Sequence, residues 1–348
     1  MLSASPKRFE RPVVPSELRI GVVGLGEMGG AHLRAWAEID LARVVAVCDP
    51  RPDVLGRAIR NRTIIGYHDF QAMMSEEGLD AVSIAVPTSL HRDVALAAMN
   101  HGISALIEKP LAGSTSQATE IVDAARNSDA VVTVGHIERF NPAIQTLRAR
   151  LRSGDLGQVF AVKAERTGPP AFRVQEAGVV MDLATHDLDI MQLVIDSPVR
   201  SIYARCAQQA GSPAEDLVIA MLGFMDGSIG LLDTNWLSPT KTRRLTVLGE
   251  KGMYVVDYLR QDLYFYDNSL ASALDYDTLA SLAGVSEGDM TKIHVSRAEP
   301  LRMELLAFAE AVVDRASAPV PLEDGFSAVW LAEQVKESAR TGAPIEVA

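Results

Sequence analysis

Only two cysteines, Cys48 and Cys206, occur in 348 residues. That excludes a disulfide-stapled scaffold, and with no CxxC spacing no zinc module or other metal site is expected. A reducing, cytoplasmic setting is the simplest one for such a chain. Basic charge is also short. Against 45 Asp and Glu there are 33 Lys and Arg, a net charge of −12. A nucleic-acid binder needs a basic face, so no nucleic-acid partner is expected. A pocket that is locally basic is still compatible with that balance. No apolar run reaches the roughly 20 residues that span a bilayer, so no membrane association is expected. The opening stretch, MLSASPKRFERPVVPSE, lacks the apolar segment of a signal peptide and reads as an arm over residues 1–17.

What is present points to a globular enzyme. Apolar residues make up 48% of the chain, and its length exceeds what one core usually supports, so two domains are expected. From residue 18, short β-branched runs alternate with amphipathic stretches. Leu18 to Val23, Val44 to Val47, Ala81 to Val86, Ser104 to Ile107 and Val131 to Val134 read as strands. Leu33, Trp36 and Ala37 share one helical face, and Val94, Ala97 and Ala98 another. Ser114 and Gln117 form a capping box before a further helix. Strands alternating with helices predict a doubly wound parallel sheet over 18–140.

The pattern changes afterwards. Gln158 to Ala164 predicts a strand, and Val179 to Ile195 a long helix. Strand pairs then flank Asp226-Gly227 and the turn holding Gly249 and Gly252, with a further strand over Gln261 to Tyr266. This reads as an antiparallel meander, giving an α/β substrate domain over 141–323 with a large, mainly antiparallel open sheet. Helices are expected near 300–315 and 324–341. The last belongs to a tail over 324–348 and is expected to return to the first domain.

Gly24-Leu25-Gly26-Glu27-Met28-Gly29 is a GxGxxG run between a predicted strand and a predicted helix, the context a dinucleotide site requires. Gly24 permits the tight turn, Gly26 the approach of a pyrophosphate, and Gly29 close packing of helix on strand. Asp49, at the end of the second strand, suits the ribose hydroxyls and repels a 2′-phosphate, which favours NAD over NADP. Arg51 is placed to accommodate such a phosphate and pulls the other way.

Two stretches suit chemistry. Glu108-Lys109-Pro110 follows a buried strand, at the carboxyl edge where α/β sheets bind ligands. Alone, Lys109 would read as a surface lysine paired with Glu108. Asp182, His186 and Asp189 fall at i, i+4 and i+7 of one helix, on one face that carries no Lys or Glu. Oxidising a secondary alcohol needs a hydride acceptor and a base. His186 suits the second task unperturbed, Lys109 if burial lowers its pKa, and Asp182 could hold a substrate hydroxyl or orient His186.

The pieces GLGEMG, PTSLH (87–91), EKPLA (108–112), GHIERFNP (135–142) and DLATHDLD (182–189) resemble, in order and over nearly the whole chain, the Gfo/Idh/MocA family. That resemblance implies a Rossmann domain followed by an α/β domain whose open sheet often forms the oligomer interface, hence a homodimer or homotetramer. It implies that Lys109, Asp182 and His186 line the active site. It also implies that Glu27, Met28, Pro87, Thr88, His91 and Glu108 border the cofactor. GHIERFNPAI and residues 234–258 resemble the nucleotide-sugar branch, implying oxidation of UDP-N-acetylglucosamine at its C3 hydroxyl, commonly ahead of an aminotransferase. A diphosphate needs cationic or N–H donors, for which Arg139, Arg166, Arg173 and Asn141 are the candidates. A dehydrogenase of inositol or of free sugars is the alternative enzyme. A dinucleotide-binding regulator without chemistry is the alternative of another class, and the presence of both Lys109 and His186 speaks against it.

Overall fold

The structure, a computed structural model, describes residues 17–169, 178–209, 211, 214–268 and 288–347. The arm expected over 1–17 lies outside them apart from its last residue.

Six parallel strands form the first sheet: β1 (Leu18–Val23), β2 (Ala42–Cys48), β3 (Ile65–Tyr67), β4 (Ala81–Ile84), β5 (Ser104–Glu108) and β6 (Val132–Gly135). Their order is β3-β2-β1-β4-β5-β6, so the strand order reverses between β1 and β4. Helices α1 (Glu27–Trp36), α2 (Pro52–Ile59), α3 (Phe70–Glu76), α4 (His91–Asn100) and α5 (Thr115–Arg126) connect them. All the strands expected in this half are present. The short β3 and its flanking helices α2 and α3 are not among the elements expected from the sequence. Ala37 is exposed and only caps α1, while His32, Leu33, Ala35 and Trp36 form the buried side. The capping box at α5 is half of what was expected. Ser114 accepts the Gln117 N–H, but the Gln117 carbonyl accepts from Gly113 instead of Ser114.

Helix α6 (Pro142–Arg152) leads into the second sheet. Its strands are β7 (Val159–Thr167), β8 (Val199–Ala207), β9 (Leu217–Phe224), β10 (Ile229–Asn235), β11 (Thr242–Gly249), β12 (Gly252–Asp257), β13 (Asp262–Asp267), β14 (Met290–Ile293) and β15 (Ile345–Glu346). Their order is β14-β13-β12-β11-β7-β10-β9-β8-β15. The sheet is mixed, which corrects the expectation of a simple meander. β7 sits between the consecutive strands β10 and β11, parallel to the first and antiparallel to the second. The reason is α7 (Thr185–Ile195), which follows β7 and carries the chain across the sheet to β8.

Along each central strand the side chains alternate. Val162, Ala164, Val218, Ala220, Leu222, Leu232, Leu245 and Val247 are buried against the helices. Ile219, Met221, Ile229, Leu231 and Leu248 stand exposed on the other face. Two helices close the molecule, α8 (Pro300–Asp314) and α9 (Leu322–Thr341). As expected, α9 returns to the first sheet's side, against α5, while also packing on α7 and β8. Its Gly325 lies so close to Val134 and Leu111 that a Cβ there would sit 3.0 Å from the Val134 side chain. Glu333 accepts from the Thr115 N–H and hydroxyl at 3.0 and 2.6 Å. α8 returns too, which the sequence did not suggest: Phe308 meets Trp36 of α1 edge-on, with centroids 6.5 Å apart.

Candidate active site

The carboxyl edge of the first sheet is built as a dinucleotide cradle. Gly24 has φ +86°, and a Cβ on it would meet the Ala85 carbonyl oxygen at 2.5 Å, so only glycine serves there. A Cβ on Gly29 would lie 1.8 Å from the Gly24 oxygen, which ties α1 to the turn. Gly26 has nothing within 4 Å of where a Cβ would stand, and no side chain caps α1. A clear crest over the N–H groups of a helix start suits a pyrophosphate. Glu27 and Met28 are exposed beside it.

Asp49 is buried at the end of β2. Its carboxylate accepts from the Leu25 N–H at 2.9 Å, and from Arg51 Nε and Nη2, both at 2.9 Å. Burial alone would raise its pKa, but the Arg51 side chain and the backbone N–H groups hold it below the usual range. Arg51 is therefore a partner of the acid rather than a separate phosphate receptor. Pro87 and Thr88 lie at the end of β4, where a short 3₁₀ turn covers Thr88–Leu90.

Two residues expected at the cofactor present their side chains elsewhere. His91 is buried, with Nδ1 2.9 Å from the Pro110 carbonyl and Nε2 3.0 Å from that of Val86. It ties the turn after β5 to the end of β4. Burial holds its pKa below the ordinary histidine range. The Glu108 carboxylate faces His32 of α1, with Nε2 2.8 Å from Oε1, and is likewise buried. Behind that pair lies Glu304 of α8, buried with neither carboxyl oxygen hydrogen-bonded among the described residues. Burial, then the charge of Glu108, pushes its pKa well above the carboxylate range.

Lys109 stands just beyond β5, and its Nζ donates to the Asp182 carbonyl at 2.7 Å and to Asp182 Oδ1 at 3.2 Å. Asp182 sits in a π-helical turn, Val180–Ala184, that precedes α7. Such wide turns inside helices are frequent at functional sites. His186 follows on the first turn of α7, buried, with Nδ1 lacking any hydrogen bond among the described residues. Burial first, then the charges of Lys109, Arg166, His136 and Arg243, push the His186 pKa well below the ordinary value. The imidazole is thus neutral and able to accept a proton.

Asp189 does not share that cleft wall, which corrects the reading of one polar face. It is 1% exposed and receives Arg139 Nε at 2.9 Å. Asp182 lies in the π turn ahead of α7 and is half exposed at the site, whereas Asp189, on the regular part of α7, is drawn into the interior by Arg139. Nor are the expected diphosphate donors free. Arg139 also binds Asp324 at 2.7 Å. Arg166 is 2% exposed, holding Asp187 through Nε and Nη2 at 2.8 and 3.1 Å and Glu138 through Nη1 at 3.0 Å. Asn141 caps α6 and donates to the Tyr258 carbonyl. Arg173 lies outside the described residues. Each of the three guanidinium or amide groups therefore serves the interior.

The sequence reading missed His136, Glu138, Asp187, Arg243, Asp324 and Glu304. Glu138 and His136 stood in the GHIERFNP run, and Asp187 beside His186, so the motifs held the signal. Their partners, Arg166 for both Glu138 and Asp187, and Asp189 for His136, lie 21 or more residues away along the chain and could not be inferred.

Comparison with known proteins agrees with this geometry. Residues 18–136 match the family model described as the Gfo/Idh/MocA oxidoreductase family, NAD-binding Rossmann fold, and residues 144–255 match the family's C-terminal domain. A UDP-N-acetylglucosamine 3-dehydrogenase from Acidithiobacillus ferrooxidans is 28% identical, over 85% of this chain and 88% of its own length. A scyllo-inositol 2-dehydrogenase (NAD(+)) from Bacillus subtilis is 25% identical, over 95% of this chain and 96% of its own length. The solved structure of the Acidithiobacillus enzyme superposes with a TM-score of 0.81 over 93% of this chain and 98% of that one. A levoglucosan dehydrogenase solved with NADH has a TM-score of 0.83 at 20% identity, over 95% of this chain and 99% of that one, a likeness of fold.

Proposed function

Because the chain belongs to the Gfo/Idh/MocA oxidoreductase family, and is thus an NAD-dependent oxidoreductase acting on a sugar or polyol hydroxyl, we propose that it oxidises the C3 hydroxyl of UDP-N-acetylglucosamine in the cytoplasm. The observation that carries the chemistry is the pairing of Lys109 with Asp182 one helical turn before a buried, neutral His186. NAD, when bound, supplies the hydride acceptor. His186 Nε2 takes the hydroxyl proton as the C–H hydride departs, leaving a ketone. Lys109, fixed by the two hydrogen bonds it donates to Asp182, also donates to the substrate oxygen and stabilises negative charge developing there. Asp49 receives the ribose hydroxyls. The α1 N-terminus, with Gly26 clear above it, receives the pyrophosphate.

The nucleotide-sugar reading is supported by the relative of that name at 28% identity and by the motif wording over 234–258. The ketone product suits an aminotransferase, which would place the reaction in amino-sugar synthesis. Free thiols at Cys48 and Cys206 agree with a reducing compartment, and among the described residues no helix is long and apolar enough to cross a membrane. A second reading, oxidation of inositol or a free sugar, is favoured by the internal pairing of Arg139 and Arg166, which removes two expected diphosphate ligands.

The deciding experiment incubates the protein with NAD and, separately, UDP-N-acetylglucosamine, UDP-glucose, N-acetylglucosamine and myo-inositol. A ketone-trapping aminotransferase with glutamate is added, because such oxidations can run uphill. NADH formed with UDP-N-acetylglucosamine alone is expected. NADH formed only with inositol or the free sugar overturns the substrate reading and leaves the chemistry of Lys109 and His186 standing.

A second copy of the chain is the proposed cover for the open face of the large sheet. Ile219, Met221, Ile229, Leu231 and Leu248 are each 42–50% exposed there, and exposed apolar side chains grouped on one face mark interaction surfaces. Light scattering is expected to return at least twice the 37.5 kDa chain mass. A monomer at micromolar concentration would contradict it.

A further inference from the structure

We propose that Arg243 is the residue that binds the anionic substituent of the substrate, and so decides specificity between charged and uncharged sugars. This rests on the nucleotide-sugar reading above, where that substituent is the diphosphate.

Arg243 lies on β11 directly opposite Arg166 of β7. Both therefore project from the same face of the sheet, the one α7 covers. Two like charges opposite one another across a strand pair are unfavourable, so something must balance them. The carboxylates available are Asp187 and Glu138, and Arg166 takes them both. It bonds Asp187 at 2.8 and 3.1 Å and Glu138 Oε1 at 3.0 Å. Arg243 reaches that same Glu138 oxygen only at 3.7 Å, beyond hydrogen-bond length. Of the cations around His186, Lys109 is bonded to Asp182, and Arg166 to Asp187 and Glu138. Arg243 alone among these makes no side-chain hydrogen bond among the described residues, its one ion pair being the 3.7 Å approach to Glu138.

The residue is also accessible. Its side chain is 30% exposed, against 2% for Arg166. It is close enough to the reacting groups that its charge bears on His186 and the charge of Asp182 bears on it. Burial, reinforced by Arg166, pulls its own pKa below the ordinary value, the mark of a positive charge short of compensation. A phosphate or carboxylate oxygen pair supplies what is missing, because the planar fork matches either bidentately. A hydroxyl-only sugar does not.

The test compares wild type with Arg243→Gln, in steady-state assays with saturating NAD. The expected result is a KM for UDP-N-acetylglucosamine raised about tenfold or more, the loss of a hydrogen bond to a charged group. The kcat should change little. A KM for UDP-N-acetylglucosamine within about twofold of wild type overturns the proposal. Should the Gln variant fail to fold, Arg243→Lys decides. That change keeps the charge and loses the fork, so a KM several times higher supports the assignment and an unchanged KM overturns it. If wild type oxidises only uncharged sugars, the nucleotide-sugar reading has failed by itself. Arg243 is then judged by inhibition of that activity with N-acetylglucosamine 1-phosphate and with inorganic pyrophosphate. Competitive inhibition weakened by Arg243→Gln supports an anion subsite. No inhibition, or inhibition the substitution leaves unchanged, overturns it.

Discussion

Lys109→Ala and His186→Ala are each expected to lower turnover about 10²- to 10⁴-fold, the usual share of a positioned proton-transfer group, while NAD still binds. NAD is expected to survive both changes because its cradle is built from Gly24, Gly26, Gly29 and Asp49, none of which bonds to Lys109 or His186. The double variant is expected to lose little more than either single one, since the two groups act on one oxygen and one proton. Steady-state rates and a fluorescence titration with NADH check both halves. Near-normal turnover in both single variants removes them from the mechanism. The pH dependence follows from the neutral state of His186. Its base form is already present at neutrality, so the acid limb of kcat/KM should fall below the ordinary histidine value of about 6.5. An acid limb at or above that value would contradict a neutral imidazole. Stability carries the same sign. A histidine whose folded pKa is depressed contributes stability that is present above its unfolded pKa and lost as pH falls through the folded one. His91 and His136 are shifted in the same direction by burial, so acid should weaken the fold through all three.

Arg166→Ala should destabilise the protein by about 3–5 kcal/mol, because it leaves Asp187 buried without its partner. Asp187 is 1% exposed, and no other described cation bonds to it. Arg166→Met combined with Asp187→Leu should recover most of that loss, since removing both charges leaves no uncompensated ion and adds apolar contact. Glu138 then keeps Arg243 as its neighbour. Urea unfolding of the three proteins, with KM for the substrate measured on each, separates the roles. A fully stable Arg166→Ala whose KM rises steeply would restore the diphosphate role expected from the sequence and overturn the structural one.

Most of the first sheet and its cofactor turn were legible, because both are written in short range. A buried parallel strand is a run of five or six apolar residues, and a pyrophosphate turn needs glycine at set intervals. Strand β3 was not legible, since three residues with an exposed Ile65 carry no pattern. The DLATHDLD run shows the limit most clearly. Its residue types announced a polar site, but each of three acids belongs to a different cation: Asp182 to Lys109, Asp187 to Arg166 and Asp189 to Arg139.

The sequence by itself determined the fold class, the dinucleotide turn, the family and the candidate catalytic types, because each depends on residues near one another in the chain. Only the tertiary structure decided which charged groups are used up inside and which remain for a ligand. Arg139, Arg166 and Arg243 look alike in one dimension. Burying a charge is tolerable only beside an opposite one, and the carboxylates able to do that are brought up from distant segments. The crossing of α7 over the sheet delivers Asp187 and Asp189 to Arg166 and Arg139, and leaves Arg243 at the edge of the site, near Glu138 but without a side-chain hydrogen bond among the described residues.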